Sequence, residues 1–481
     1  MSTNLEIAAT GIDLPKEPVV ERKAQTLEEV WANFDPTLAV DPATQFYIAR
    51  QDDRLHSLRF ELMCARGDFH AFLCGHRGSG KTTELKRLAA DEAIGEKFLP
   101  IYLTIQEFGS ESVHLSHDAL MVEIGLALGR EGRRRGMDTE LHENLANWGK
   151  EIVRTFLHDE AVQAEVGAKA NAWLAFFKAQ LSTRREWKAE EKQILEPRVR
   201  DLIDILNLMA ADLYNKSGKR VLVFVDDIEK GESEAHREMH ARIFEEHYDV
   251  LMQPRFSMVY TLPIYFRALP GSRIQPQELF AFSALRLYDQ ASKQEDDPPL
   301  DKNAEGYEFM RDFVESRLAE WGTVFGSEAV LEKLLLIGSG LFRETARSVR
   351  DAAYVALRRG ANERITMADA DAVATRIKKE YQPMIRGEAV KVLKEVLAST
   401  EGWVPGVEPF LQNRAVVEYE NGDLWLDLRS LLKPYVRKLQ APSPKPRAIL
   451  SPPRMKRSRR RSPPRSPICS GGRSGTASRC S

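Results

Sequence analysis

Five short apolar runs punctuate the first 300 residues, at 71–74, 98–105, 221–225, 256–262 and 279–287. They are continuous rather than alternating, which is the pattern of parallel strands covered on both faces. Between them the apolar spacing is helical. Leu55, Leu58 and Leu62, with Phe60 and Met63, predict a helix within residues 46–66, and another follows the first run from about residue 82 to 92. Strands alternating with helices predict an α/β fold with a doubly wound parallel sheet.

Two departures from that rhythm divide the chain further. From about residue 111 to 218 no strand pattern occurs, and the periodicity at 173–181 and 199–213 is helical, so this stretch reads as a helical insertion. After Asp301 the pattern turns wholly helical, with candidate helices at 304–321, 327–337, 343–359 and 368–381. Past Gly387 come a helix at 390–397, a short one at 407–411 and two strand-like runs at 415–420 and 424–428, joined by Asn421-Gly422. Asn-Gly predicts a hairpin with a type I′ turn, because both residues tolerate positive φ. A last helix at 431–439 completes what reads as a winged helix. The predicted organisation is an N-terminal arm over 1–45 with one short helix near 27–34, and a core over 46–300 containing the insertion. A helical lid over 301–386, the winged helix over 387–440 and a tail over 441–481 follow.

Charge sharpens the last boundary. The 481 residues hold 69 Lys and Arg against 71 Asp and Glu, a net charge of -2. Residues 441–481 contain 11 of those basic residues and none of the acidic ones, with 8 Pro and 9 Ser, so the first 440 residues carry −13. Such a tail cannot bury enough apolar surface to fold, and disorder is expected. It either grips an acidic partner or nucleic acid electrostatically or has no selected role. The acidic body argues against indiscriminate nucleic-acid binding. The cysteines Cys64, Cys74, Cys469 and Cys480 form no CxxC pair, which points away from disulfide frameworks and zinc sites. No apolar run approaches the ~20 residues that span a bilayer, and no signal peptide is recognisable, so no membrane partner and a cytoplasmic location are expected.

The chemistry begins at the end of the first strand. Gly75-His76-Arg77-Gly78-Ser79-Gly80-Lys81-Thr82 fits GxxxxGK[ST] at every fixed position. Glycines let backbone N–H groups turn inward around phosphate oxygens, and the next helix adds its N-terminal dipole. Lys81 is expected to reach the β- and γ-phosphates and Thr82 to ligate Mg²⁺, with Thr83 completing the nucleotide-binding segment. ATP and Mg²⁺ are therefore the expected cofactors.

The third run ends in Asp226-Asp227-Ile228-Glu229, the acidic strand end that accompanies a phosphate loop. Asp226 is expected to hold the metal's water shell and Asp227 to orient the attacking water, with Glu229 as the alternative for the second role. Thr261 ends the fourth run and either senses the γ-phosphate or is an ordinary β-branched strand residue. Arg343 opens a lid helix and either reaches the nucleotide or lies on a surface. Arg267 and Arg273 follow the fourth strand and are candidates to act on a neighbouring subunit's nucleotide. His236, His240 and His247 have helical spacing but lack the HExxH arrangement, and read as a solvated helix face rather than a zinc site.

GHRGSGKTTEL, VLVFVDDIEK, the YTLP strand, the SGLFRE helix start and the terminal winged helix together resemble AAA+/STAND-class P-loop ATPases. The order of parts over residues 46–440 is similar to origin-recognition-type ATPases and to bacterial STAND regulators. The resemblance implies nucleotide and magnesium roles for Lys81 and Thr82, Walker B roles for Asp226 and Asp227, a sensor 1 at Thr261 and a sensor 2 at Arg343. It also implies a slow ATPase acting as a nucleotide-dependent switch through self-association or a partner protein, in bacterial signalling or defence. The alternative is a DNA-binding ATPase of origin-recognition type. Against it stand the wing's Glu418, Glu420, Asp423 and Asp427, beside the single basic Arg414.

Overall fold

The computed structural model describes residues 22–37, 40–49, 53–105, 115–156, 189–360 and 364–440. The expected helix at 173–181 and the tail at 441–481 lie outside them, as do residues 1–21 of the N-terminal arm.

Five parallel strands, β1 (His70–Gly75), β2 (Phe98–Thr104), β3 (Arg220–Asp226), β4 (Ser257–Pro263) and β5 (Leu279–Phe282), form one sheet in the order β2-β3-β4-β1-β5. The pleat sends alternate residues to opposite faces. Ala71, Leu73, Leu222, Phe224 and Val259 face one apolar layer, formed with helices α2 (Asp53–Cys64), α3 (Lys81–Ala89) and α4 (Glu92–Lys97). Phe72, Cys74, Val221, Val223, Val225, Met258 and Tyr260 face the opposite layer. There they meet α5 (His117–Arg134), α6 (Thr139–Phe156) and α7 (Ala189–Ser217), the described part of the insertion. Both faces are covered, which is why the runs are continuous rather than alternating.

Several boundaries move for local reasons. The expected helix over 46–66 begins only at Asp53, and 46–49 is irregular. The helix after the phosphate loop stops at Ala89, because Asp91 accepts from Ile94 N at 3.1 Å and caps α4; Arg59 holds Asp91 with two bonds at 2.9 and 3.2 Å. The arm's short helix, α1 (Leu27–Asn33), opens with a capping box between Thr26 and Glu29 and packs on a lid helix.

After β3 comes α8 (Glu234–Ala241); after β5 the helices α9 (Glu305–Glu315), α10 (Glu328–Gly338), α11 (Phe342–Leu357) and α12 (Met367–Tyr381) follow. Then α13 (Glu388–Ala398), the five-residue α14 (Glu408–Gln412) and the antiparallel hairpin β6 (Val416–Asn421) and β7 (Asp423–Leu428) precede α15 (Lys433–Lys438). The hairpin turn differs from the expected type I′. Asn421 stays in the ladder opposite Asp423 and only Gly422 takes a positive φ, at 92°. The Asn421 side chain instead accepts from Trp425 Nε1 at 2.8 Å.

Candidate functional site

Parallel strands present their C-terminal ends to one edge, so the loops after β1, β3 and β4 converge. Gly75 closes β1, and a Cβ there would meet Phe282 O at 2.9 Å. Gly78 (φ 87°) and Gly80 (φ 96°) turn the loop through left-handed backbone that other residues resist. Lys81 then begins α3, and its side chain doubles back: Nζ donates to Gly75 O at 2.8 Å and His76 O at 3.1 Å. It also pairs with Glu229 at 3.0 Å, both side chains almost wholly buried.

Asp226 lies at the tip of β3, with the Thr82 hydroxyl directed at it and Asp227 N donating to Oδ1 at 2.8 Å. Burial, then the charges of Glu229 and Asp227, push its carboxyl up to about 6. Asp227 has φ 73°, accepts from Thr104 Oγ1 at 2.8 Å and meets Lys230 Nζ at 2.7 Å. For Glu229, burial raises the pKa, but the Lys81 ammonium and the nearby Thr261 hydroxyl outweigh it and hold the carboxyl below its ordinary value. Thr261 Oγ1 and Glu229 Oε2 are both buried without a hydrogen-bond partner among the described residues.

Arg77, Gly78, Gly80, Lys81, Thr82, Thr83, Asp227, Glu229 and Arg343 line one cavity of about 300 Å³. Thr261 stands behind Glu229 rather than on the wall. Thr83 lines the cavity, but its hydroxyl donates to Val40 O at 3.2 Å, tying α3 to the arm. Arg343 opens α11 directly over the loop, with its N–H 3.3 Å from Gly78 O. Its Nη1 is buried without a hydrogen-bond partner among the described residues, and burial, then Arg77 and Arg414, lower its pKa.

Three predicted residues turn away from this cavity. The His76 ring points into the hairpin, where Nε2 accepts from Glu418 N at 2.9 Å. That bond makes the ring neutral, and burial, then Lys81 and Arg414, push its pKa down to about 3. Arg267 is not available to a neighbouring subunit: its side chain is only 9% exposed and pairs with Glu418 at 2.7 Å and Glu420 at 2.6 Å. Arg273 is exposed but sits on Asp249, also at 2.6 Å. The histidines do not form a solvated row. His240 is buried between Tyr265 Oη (3.1 Å) and Ile228 O (2.9 Å), His236 meets Ser233 and His247 stacks on His117.

The wing's acidity also has another meaning than repulsion of a duplex. Glu418 and Glu420 hold Arg267, and Asp427 is buried with Lys433 at 2.7 Å and Tyr288 Oη at 2.9 Å. Arg414 bridges Glu232 (2.7 Å) and Glu344 (3.1 Å), and Glu232 also meets Arg77 at 3.5 Å. Arg429, fully buried, takes the other oxygen of Glu344 at 2.8 Å.

Sequence reasoning missed the cavity's apolar half. Pro36 and Val40 of the arm and Phe46, Tyr47 and Ile48 just after it face Phe309, Phe313 and Phe342 of the lid, and Arg317 stacks 4.0 Å from the Phe313 ring. An aromatic cluster just ahead of a core helix was the available signal. Tyr102 and Thr104, which reach Asp226 and Asp227, were hidden inside a run read as apolar. Among the described residues no helix is long and apolar enough to cross a membrane, and no group of three His, Cys, Asp or Glu is arranged to hold a metal.

No family model matches the chain, and no curated protein does. Among solved structures it is similar to the Aeropyrum pernix Orc1 protein in complex with DNA, at 13% identity and a TM-score of 0.36 over 85% of this chain and 98% of that one. Cdc6p from Pyrobaculum aerophilum gives 15%, 0.35, 85% and 97%. Drosophila ORC bound to DNA gives 12%, 0.34, 91% and 97%. These neighbours are origin-recognition AAA+ ATPases. At such values the likeness transfers neither residue roles nor partners to this chain.

Proposed function

We propose that this protein binds and slowly hydrolyses ATP with Mg²⁺, and that its nucleotide state controls whether the C-terminal hairpin stays docked on the phosphate loop. The observation that carries the reading is the contact of one eight-residue loop with both functions. Its backbone and Lys81 form the phosphate cradle, while His76 and Arg77 reach the hairpin directly and through Glu232.

Thr82 and Asp226 fit magnesium. Asp226 is crowded by Glu229 and Asp227, an excess of negative charge that a divalent cation relieves, and Mg²⁺ needs only one or two protein oxygens beside phosphates and water. When bound, the ion neutralises charge on the β- and γ-phosphates. To reach a phosphate, Lys81 must leave Glu229 and the Gly75 and His76 carbonyls. That movement frees Glu229 to orient the attacking water, with Thr261 beside it. Asp227, held by Thr104 and Lys230, is the poorer candidate for this role. Arg343 lies where it can meet the γ-phosphate, and the slot of Phe46, Tyr47, Ile48 and Phe313 suits a purine.

The hairpin, residues 416–428, contains no lysine or arginine, and the flanking Arg414 and Arg429 are both engaged with Glu344. In this docked state it offers duplex DNA no basic face. Undocking frees Arg414, Glu418 and Glu420 for a partner protein or a second copy, which is the form of signalling we favour. Equilibrium binding of a fluorescent ATP analogue to the full chain and to Lys81→Ala tests the first half; unchanged binding in the variant overturns it. Hydrogen exchange of residues 416–428 with ATP, with ADP and without nucleotide tests the second. Identical protection in all three overturns the switch.

A further inference from the structure

Positions 102 and 104 interrupt β2 with hydroxyls. Two residues apart on a strand, they share a face, and β2 lies at the sheet edge against β3, with Tyr102 opposite Phe224 and Thr104 opposite Asp226. From there the Tyr102 hydroxyl donates to Asp226 Oδ2, and Thr104 Oγ1 donates to Asp227 Oδ2 at 2.8 Å. Each of two adjacent acids therefore receives its own hydroxyl from the neighbouring strand. The other Asp226 oxygen is held by Asp227 N at 2.8 Å.

We propose that Tyr102 and Thr104 are positioning residues for magnesium: they fix the two carboxylates so that Asp226 faces Thr82 and the incoming ion while Asp227 keeps its place on the cavity wall. The inference rests on Asp226 being the magnesium residue. Without the hydroxyl, only Asp227 N and the Thr82 hydroxyl hold an Asp226 side chain repelled by Glu229 and Asp227, and the ion must finish organising its own ligand on arrival.

The test is binding of a fluorescent ATP analogue to the full chain, first in EDTA and then along a Mg²⁺ titration. Tyr102→Phe keeps the ring and its packing. Its affinity in EDTA is expected to stay within about twofold of wild type, while the Mg²⁺ concentration for half-maximal tightening rises about tenfold, the scale of one charge-assisted hydrogen bond. Thr104→Val is expected to shift the same titration in the same direction, and Thr104→Ser, which restores the hydroxyl, to return it. A wild-type titration in Tyr102→Phe overturns the proposal. So does equal weakening with and without Mg²⁺, which marks a packing role. If wild-type protein binds nucleotide but shows no Mg²⁺ effect, the magnesium assignment of Asp226 falls, and this proposal with it.

Discussion

The ring of His76, in the phosphate loop, accepts a hydrogen bond at 2.9 Å from the backbone N–H of Glu418, 342 residues later in the chain. The loop that would hold the nucleotide and the strand that would report on it are joined by one buried bond. His76→Ala leaves that N–H unsatisfied, at a cost of about 1–3 kcal/mol. Faster hydrogen exchange over residues 416–420 is expected, with a smaller change in nucleotide affinity; His76→Gln, which can accept in place of Nε2, should restore protection.

The same ring sets a pH dependence. Unfolded, His76 takes a proton near its ordinary value of 6.5; folded, it resists protonation down to about 3. Over that interval the unfolded state binds more protons, so this contribution is complete above about pH 6.5 and is lost as pH falls. His240, pushed down to about 4 by burial, acts in the same direction. Asp226 opposes them: its carboxyl, raised to about 6, gains stability as pH falls through that value. Thermal melts of wild type and His76→Gln between about pH 7 and about pH 5 should diverge, with the wild type losing more.

Lys81 and Glu229 are predicted to be coupled in stability but not in binding. Both side chains are buried, so Lys81→Ala strands a carboxylate and should cost about 3–5 kcal/mol in denaturant unfolding. Lys81→Ala with Glu229→Ala should recover most of that stability without recovering ATP binding.

Glu229→Gln should lower the hydrolysis rate by about 10²-fold or more while ATP stays bound. Asp227→Asn should have the weaker effect, because Thr104 and Lys230 already hold that side chain. The reverse order in single-turnover assays returns the water-orienting role to Asp227.

Arg414 joins the hairpin to both Glu232 and Glu344. Arg414→Ala should loosen the hairpin without nucleotide, read as raised protease sensitivity at residues 413–429. Glu344 retains Arg429 at 2.8 Å, so the lid itself should keep its melting temperature within a few degrees. An unchanged digestion pattern means that Arg414 is not needed to hold the dock, which His76 and Arg267 then carry.

The sheet was legible because continuous apolar runs have few other readings, and the phosphate loop because its glycines and Lys81 sit at fixed spacing. What failed to show was whatever depends on long-range pairing. Arg267 looked free because its partners, Glu418 and Glu420, arrive more than 150 residues later. The hairpin's acids read only as an obstacle to DNA for the same reason. Tyr102 and Thr104 were invisible because a hydroxyl at a strand position gives no sign of what lies on the next strand. The Phe46–Ile48 side of the cavity was missed because helical spacing was extended across residues that have no helix.

Lys81 and Glu229 are paired with each other inside the protein. Under the proposed function ATP does not settle onto a waiting positive charge; it displaces a carboxylate of the protein's own, and Glu229 is free to orient water only once Lys81 has left it. Under that proposal, readiness to hydrolyse is tied to the arrival of the substrate itself.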